Sequence, residues 1–296
     1  MKILKGILFL CIAGLFFTLT FSCEKIEPPY VKKGYDTVIY PEYPKKILVE
    51  DFTAHMCTYC PDGHHALEAM MEKYHKPYYD GYIIIPMAIH VSSLAFPAPP
   101  QFPTDFRTDE GEELDAHFGA SSMGLPKGLV NRKEYESSLN LNPDLWGDAA
   151  VLLLEDNQAA IKMTIKQADI YLVIENEFDT TSRQLNCSID ANFLSSWNNP
   201  VSLAVFLVED GIVSGQLNHG VIDENYVHNH VLRDGITGVW GDALTTAATS
   251  QGETKNKNYT YTLPADFVYS NCSVVAYVYD SSTKEVIQAE IKRLVE

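Results

Sequence analysis

Basic side chains are scarce in this sequence. Lys and Arg together number 22, against 39 Asp and Glu residues, so the formal net charge of the 296 residues is -17. A surface this acidic repels nucleic-acid backbones and anionic membrane faces, because both are negatively charged. The composition therefore excludes nucleic acid as a partner and excludes attachment to a membrane by charge.

A long apolar run is also missing. The apolar segment from Ile7 to Phe21 is shorter than the roughly 20 residues that a membrane-spanning helix needs, and it follows Lys2 and Lys5. A basic start, a short apolar core and small residues near a cleavage point are typical of a secretory signal. We therefore predict a signal peptide over residues 1–22.

The residues that follow indicate a lipid anchor. The segment that ends in Ser22-Cys23 resembles a bacterial lipobox, which implies that Cys23 becomes the lipidated first residue after cleavage. An ordinary signal peptide with an unmodified Cys23 is the alternative. Residues 23–44 are polar and contain Pro28 and Pro29, so we predict an extended tether between the anchor and the folded chain.

Several catalytic motifs are absent. The sequence has no nucleophile elbow, no P-loop and no glycine pattern for dinucleotides, and no pair of carboxylates stands at a spacing suited to hydrolysis. Covalent haem attachment needs a His directly after a Cys-x-x-Cys pair, and Pro61 occupies that position. No cofactor is expected.

Cysteine is infrequent, with six residues in the chain. Cys11 lies in the predicted signal peptide and Cys23 is the predicted lipidation site. An exported protein meets conditions in which disulfides persist, so two pairs are plausible among the other four. These are Cys57–Cys60 and Cys187–Cys272, and for the second pair two buried free thiols are the alternative.

The pair Cys57 and Cys60 is the strongest motif. It follows an apolar run at Ile47–Val49 and precedes a helix-forming tract at Ala66–Tyr74. Unpaired N–H groups at a helix start favour thiolate over thiol. The layout therefore predicts a redox dithiol, with Cys57 as the exposed nucleophile and Cys60 as the resolving thiol. A static disulfide is the alternative.

The pattern predicts an α/β domain over residues 45–157. Buried strands alternate with helical segments, and a proline-rich insert near 92–120 interrupts them. The predicted strands are 47–49, 82–90 and 129–130, and the predicted helices are 66–74, 109–118 and one that starts at Asn142-Pro143.

From residue 158 to residue 296 the apolar period changes to two. Alternating segments such as 185–191 and 259–263, with a central apolar strand at 201–208, predict several short antiparallel strands. We therefore predict an all-β domain, a sandwich that is immunoglobulin-like in outline.

The first domain resembles the thioredoxin-like fold. The resemblance is carried by the strand, the Cys-x-x-Cys pair, the helix, and the Leu125-Pro126 dipeptide before a strand. It implies that Pro126 is cis and lies beside the dithiol, and that Asp51 is a buried acid that accepts a proton from Cys60. Glu50 is the competing acid, since neighbouring strand residues face opposite ways.

The chain after the tether resembles a narrower family, the Omp28-related outer membrane lipoproteins. These pair a thioredoxin-like domain with a C-terminal β domain. The matching segments are Val49–His64, Leu125–Arg132 and Tyr226–Arg233. The resemblance implies an outer membrane location, with the lipid-anchored chain facing either the periplasm or the cell surface, and it implies the fold. It leaves the biochemical activity open.

Histidines add further candidates. His55 lies two residues before Cys57, where its positive form would lower the pKa of the thiol. His64 and His65 are candidate zinc ligands with the dithiol, or else exposed helix residues. His219, His228 and His230 are a weak candidate metal cluster. We expect His228 and His230 to face the same side of one strand, and a structural polar face is the alternative.

Two functions from different classes remain. The first is thiol–disulfide exchange by the Cys57–Cys60 pair on envelope or extracellular proteins, which would be the partners. The second is a surface binding or adhesion protein in which the same pair is a structural disulfide.

Overall fold

The computed structural model describes residues 39–75, 81–156 and 164–295. The predicted signal peptide, the predicted lipidation site at Cys23 and most of the predicted tether lie outside these ranges. The residues in these ranges form one compact unit. Among the helices within the described ranges, none is both long and apolar enough to cross a membrane.

The N-terminal region is mixed α/β. Its elements are β1 (Ile47–Thr53), α1 (Cys60–Tyr74), β2 (Ile84–His90), α2 (Asp109–Phe118), β3 (Lys127–Val130) and α3 (Pro143–Leu154). Strands β1 and β2 are parallel and connected through α1, and β3 is antiparallel to the other side of β1. The predicted strand–helix–strand order is confirmed, but α1 begins earlier than the predicted tract. Pro61 and Asp62 in its first turn suit a helix start.

The C-terminal region is β-rich. Its strands are β4 (Ile170–Asp179), β5 (Gln184–Phe193), β6 (Val201–Glu209), β7 (Ile212–Val213), β8 (Gln216–Asn218), β9 (Val221–Asp223), β10 (Val227–His228), β11 (Val231–Gly235), β12 (Asp242–Thr245), β13 (Thr254–Thr262), β14 (Cys272–Asp280) and β15 (Val286–Arg293).

One mixed sheet runs through both regions. Its strand order is β15-β14-β6-β11-β2-β1-β3, and β12 also pairs with β6. The junction is the parallel pairing of β11 with β2 through Val231 and Ala88. The predicted boundary between residues 157 and 158 falls in 157–163, outside the described residues. The division into two domains therefore stays a sequence-based prediction.

A second sheet, in the order β13-β5-β4, packs against the C-terminal part of the mixed sheet and completes a β-sandwich. Strand β6 is buried on both faces. Leu203 and Val205 enter the sandwich interior, whereas Ala204 and Phe206 join the core that covers the other face, shared with β1, β2 and α2. Two buried faces explain why the sequence of β6 is almost continuously apolar. Strand β13 alternates instead, because one of its faces is exposed.

Close packing at Trp146 brings α3 against α1 and β3. A Cβ on Gly128 would lie 2.3 Å from the Trp146 ring, and a Cβ on Gly63 would lie 3.3 Å from it. The indole N–H donates to the carbonyl of Leu141 at 3.0 Å. The ring is fully buried, so it fixes the first turn of α1 beside β3 and the Leu125–Pro126 peptide that precedes it.

Candidate disulfide site

Cys57 and Cys60 form a disulfide with their Cα atoms 5.4 Å apart. Helix α1 begins at Cys60, so Cys57 lies in the turn that enters the helix. The turn is held by two backbone hydrogen bonds, from Cys57 N–H to the Ala54 carbonyl at 3.1 Å and from Cys60 N–H to the Cys57 carbonyl at 3.3 Å. The end of β1 and the start of α1 thus place both sulfurs beyond the C-terminal end of β1.

The Leu125–Pro126 peptide is cis, which is the geometry that the thioredoxin resemblance implies. Leu125 packs against the small apolar cluster that contains both cysteines. A Cβ on Gly63 would lie 3.2 Å from the Pro126 Cβ and 3.4 Å from the Asp51 Oδ1. The absence of a side chain at Gly63 therefore lets the cis peptide and the Asp51 carboxyl approach the first turn of α1 from two sides.

Asp51 and Glu50 face opposite ways on β1. Asp51 is 2% exposed, its Oδ1 has no protein hydrogen-bond partner, and burial raises its pKa to about 8. Glu50 is fully buried and accepts two hydrogen bonds from Arg132, at 2.8 and 2.6 Å. The Arg132 guanidinium also donates to the Tyr277 hydroxyl at 2.7 Å. Asp51 is therefore the acid on the side of the dithiol, and Glu50 belongs to an ion pair that joins the two regions.

The β-rich region contributes directly to the site. The Gln216 amide donates to the Cys57 carbonyl at 3.1 Å across 159 residues of sequence. Backbone N–H groups of Leu217 and His219 donate to the carbonyls of His55 and Thr58 at 2.8 and 2.9 Å. Strand β8 therefore lies along the turn that carries Cys57 and satisfies its backbone acceptors. The sequence gives no signal for this, because Gln216 belongs to no motif.

The surface beside the disulfide combines apolar and acidic side chains. Cys57 is 5% exposed and Cys60 is 2% exposed, whereas Tyr59 between them is 58% exposed. Beside Tyr59 lies an open depression of about 410 Å³, lined by Tyr59, Asp62, Ala66, Pro126, Pro143 and Asp144. The sulfurs thus lie just beneath the rim of this depression.

The structure does not support the predicted role of His55 as a cation beside Cys57. Its ring is completely buried, stacks on Phe102 at 5.3 Å and hydrogen-bonds through Nε2 to the Phe96 carbonyl at 2.9 Å. Burial lowers its pKa, which disfavours the positive form. The sequence placed His55 correctly next to the motif but could not show that the predicted insert, which supplies Phe96 and Phe102, covers it.

The prediction that His228 and His230 share one face of a strand is wrong. Strand β10 ends at His228, and His230 has a positive φ of 58° before β11 begins. His228 is buried, with its ring centroid 5.5 Å from that of His90, whereas His230 pairs with Asp210 at 3.0 Å. His219 lies elsewhere and contacts Asp62 at 3.0 Å. Within the described ranges no three His, Cys, Asp or Glu side chains are grouped to hold a metal ion.

The candidate disulfide between Cys187 and Cys272 is not formed. Both residues are buried free thiols in the sandwich interior, Cys187 on β5 and Cys272 on β14. Facing sheets lie about 10 Å apart, whereas a disulfide needs Cα atoms within about 7 Å. Burial raises the pKa of each thiol to about 12, so both are inert.

The comparisons with known proteins identify the class as an outer membrane protein. The family model described as "Outer membrane protein Omp28" matches residues 112–295. The chain belongs to the Omp28 family.

Among solved structures, HBP35 of Porphyromonas gingivalis is similar with a TM-score of 0.59 and 17% identity, over 85% of this chain and 76% of that one. A domain of the outer membrane lipoprotein Omp28 from the same organism is 26% identical over 43% of this chain and 88% of that one, with a TM-score of 0.32. No curated protein sequence matches the chain.

Proposed function

We propose that this outer membrane protein is lipid-anchored through Cys23 and that its Cys57–Cys60 pair exchanges disulfides with envelope or extracellular proteins. One observation carries the proposal. The disulfide lies between a cis-proline loop and the buried carboxyl group of Asp51, whose Oδ1 has no protein hydrogen-bond partner. We propose further that the N-terminal region is thioredoxin-like and that the sandwich is immunoglobulin-like.

The chemistry assigns a role to each residue. The Cys57 thiolate attacks a disulfide of the partner protein and forms a mixed disulfide. The Cys60 thiolate then attacks the Cys57 sulfur, closes the Cys57–Cys60 bond and releases the partner's thiolate. Asp51, as the thioredoxin resemblance implies, accepts the proton of Cys60. The depression beside Tyr59 and Pro126, which Asp62 and Asp144 also line, offers the partner a docking surface.

A second function has its own supporting observation. Cys57 is only 5% exposed, and such low exposure suits a structural disulfide in a surface binding protein. Under this alternative the depression beside Tyr59 binds a partner and the disulfide holds its rim in shape.

A redox titration separates the two functions. The full-length chain with Cys11→Ser and Cys23→Ser is equilibrated in glutathione buffers, and the fraction of reduced Cys57–Cys60 is measured by alkylation. We expect a reduction potential above about -300 mV. A lower potential would mark the disulfide as structural and reject the exchange function. A Cys57→Ser variant is the control, since it must show no transition.

A further inference from the structure

Behind the disulfide is a small, partly open chamber built by both regions of the chain. Its volume is about 20 Å³. Its polar lining includes Asp51 from β1, Cys60 and His64 from α1, His90 from β2, and Tyr226 and His228 from the β-rich region. A cavity of this volume holds about one water molecule when two to four polar groups surround it.

The chamber walls carry buried polar atoms that lack protein partners. These are the Asp51 Oδ1, both ring nitrogens of His90 and the His228 Nε2. All three residues are at most 4% exposed. Leaving such atoms unsatisfied costs about 1–3 kcal/mol each. A single water in the chamber would offset this cost by forming hydrogen bonds with them.

His64 is the lining group through which a proton can leave the chamber near neutral pH. Its side chain is 18% exposed, and its Nε2 lies 3.1 Å from the Glu68 Oε1 on the surface of α1. His90 and His228 are buried away from solvent. Tyr226 is partly exposed, but burial raises its pKa to about 12, so it keeps its proton.

We propose that this chamber is a one-water proton relay, in which His64 passes the proton released by Cys60 from the water and Asp51 to solvent. The inference rests on the proposed disulfide exchange and adds the exit path to it. When Cys60 attacks the mixed disulfide, its thiol proton moves to the Asp51 carboxylate through the water. The new Cys57–Cys60 bond forms and the partner leaves as thiolate with the electron pair. Asp51 then returns the proton to the water, and His64 carries it out.

The pH dependence follows from the groups that face the chamber. Burial raises the pKa of Asp51 to about 8 and lowers that of His64. His64 is therefore neutral near pH 7 and free to accept a proton, and the relay quickens as Asp51 ionises towards pH 8. The other charged or titratable groups that face these two residues are Glu68 and His65 on α1, His90 on β2, and Tyr226, His228 and His230 from the β-rich region.

Two-phase thiol kinetics test the relay. The reduced full-length chain with Cys11→Ser and Cys23→Ser is mixed with 5,5'-dithiobis(2-nitrobenzoate) between pH 6 and pH 9. Attack by Cys57 releases the first thionitrobenzoate, and ring closure by Cys60 releases the second. We expect His64→Gln to slow the second phase about tenfold, to leave the first phase unchanged, and to recover speed when free imidazole is added.

The matched control is His65→Gln, because His65 is the exposed neighbour of His64 on the same helix. Both phases should match those of the unaltered chain. In the unaltered chain, the second phase should also slow more in D₂O than the first, which tests the relay without any variant.

The outcomes separate the relay from the exchange function. If His64→Gln and His65→Gln give the same second phase and D₂O slows both phases equally, the relay is rejected while the exchange function stands. If the unaltered chain releases no thionitrobenzoate in its native state, Cys57 is inaccessible, and the exchange function fails together with the relay.

Discussion

Two adjacent carboxyl groups on β1, Glu50 and Asp51, are buried to the same depth in opposite surroundings. Glu50 is 0% exposed and bound by Arg132, whereas Asp51 is 2% exposed and its Oδ1 lacks a protein partner. The two carboxyl groups therefore differ in their hydrogen-bond partners and not in their burial. A carboxyl group held by an arginine joins elements of the fold. An unpaired one has its pKa raised and becomes available for proton transfer.

The largest expected effect comes from breaking the ion pair between Glu50 and Arg132. Glu50→Gln leaves the Arg132 guanidinium buried without a counter-charge, at 4% exposure. We expect the free energy of unfolding to fall by about 3–5 kcal/mol. Urea denaturation of the disulfide-bonded chain measures this as a lower midpoint with an unchanged slope.

The double variant Glu50→Gln, Arg132→Met is the control, because it removes both charges and should recover at least part of the loss. The first thionitrobenzoate phase should stay unchanged in both variants, since Glu50 faces away from the dithiol. A loss below about 1 kcal/mol for the single variant would contradict the structural role of the pair.

Removing the unpaired carboxyl group of Asp51 should stabilise the chain, whereas removing that of Glu50 should destabilise it. The pKa of Asp51 is about 8 in the folded chain and roughly 3.9 in the unfolded one. Between these values only the folded state keeps the proton, so this carboxyl lowers stability progressively as the pH rises from about 4 to about 8. Asp51→Asn removes the penalty. We expect it to stabilise the chain by about 2–4 kcal/mol at pH 8 and by little at pH 4.

Urea midpoints at pH 4, 6 and 8 measure this difference, and the same variant should slow the second thionitrobenzoate phase. Glu50→Gln provides the contrast, since it should destabilise the chain at pH 8. Equal stability of Asp51→Asn and the unaltered chain across this range would mean that the carboxyl is hydrated or paired in solution.

The sequence predicts which residues form the disulfide site better than it predicts what each carboxyl group contacts. The motif placed Cys57 and Cys60 together, because they belong to one contiguous strand, turn and helix pattern. The thioredoxin resemblance added Asp51 and Pro126 to the same site. Local spacing also showed that Glu50 and Asp51 face opposite ways. The sequence could not show which residue each carboxyl group contacts, since Arg132, the partner of Glu50, lies 82 positions further along the chain.

The residues that the β-rich region contributes to the site could not be predicted from the sequence for the same reason. Gln216 and Tyr226 reach the site only because β11 pairs with β2 and brings the neighbouring chain to the dithiol. The period-two pattern predicted the sandwich but could not predict that one of its sheets continues into the α/β region. The prediction for His55 failed for a different reason. The sequence placed it correctly beside the motif, but burial by the insert disfavours the positive charge that its predicted role required.

The smallest expected effect concerns a third acid, Asp62, on the exposed side of α1. Asp62 and His219 are 49% and 54% exposed, and their side chains approach to 3.0 Å. An exposed pair of this kind contributes between 0 and about 1 kcal/mol, because water screens the interaction. We expect His219→Gln to change the free energy of unfolding by less than about 1 kcal/mol, as measured by urea denaturation at low salt.

The backbone explains why so little should change. Strand β8 and the residue after it are held to the dithiol turn by backbone N–H groups, including that of His219 to the Thr58 carbonyl at 2.9 Å. A side-chain substitution leaves these bonds in place. Asp62→Asn is the matched variant and should behave in the same way. A loss above about 2 kcal/mol in His219→Gln alone would show that contact of its ring with Tyr59, at 5.5 Å, fixes this strand. A side-chain contact at the surface would then contribute to stability, as the contact with Arg132 does for the buried Glu50.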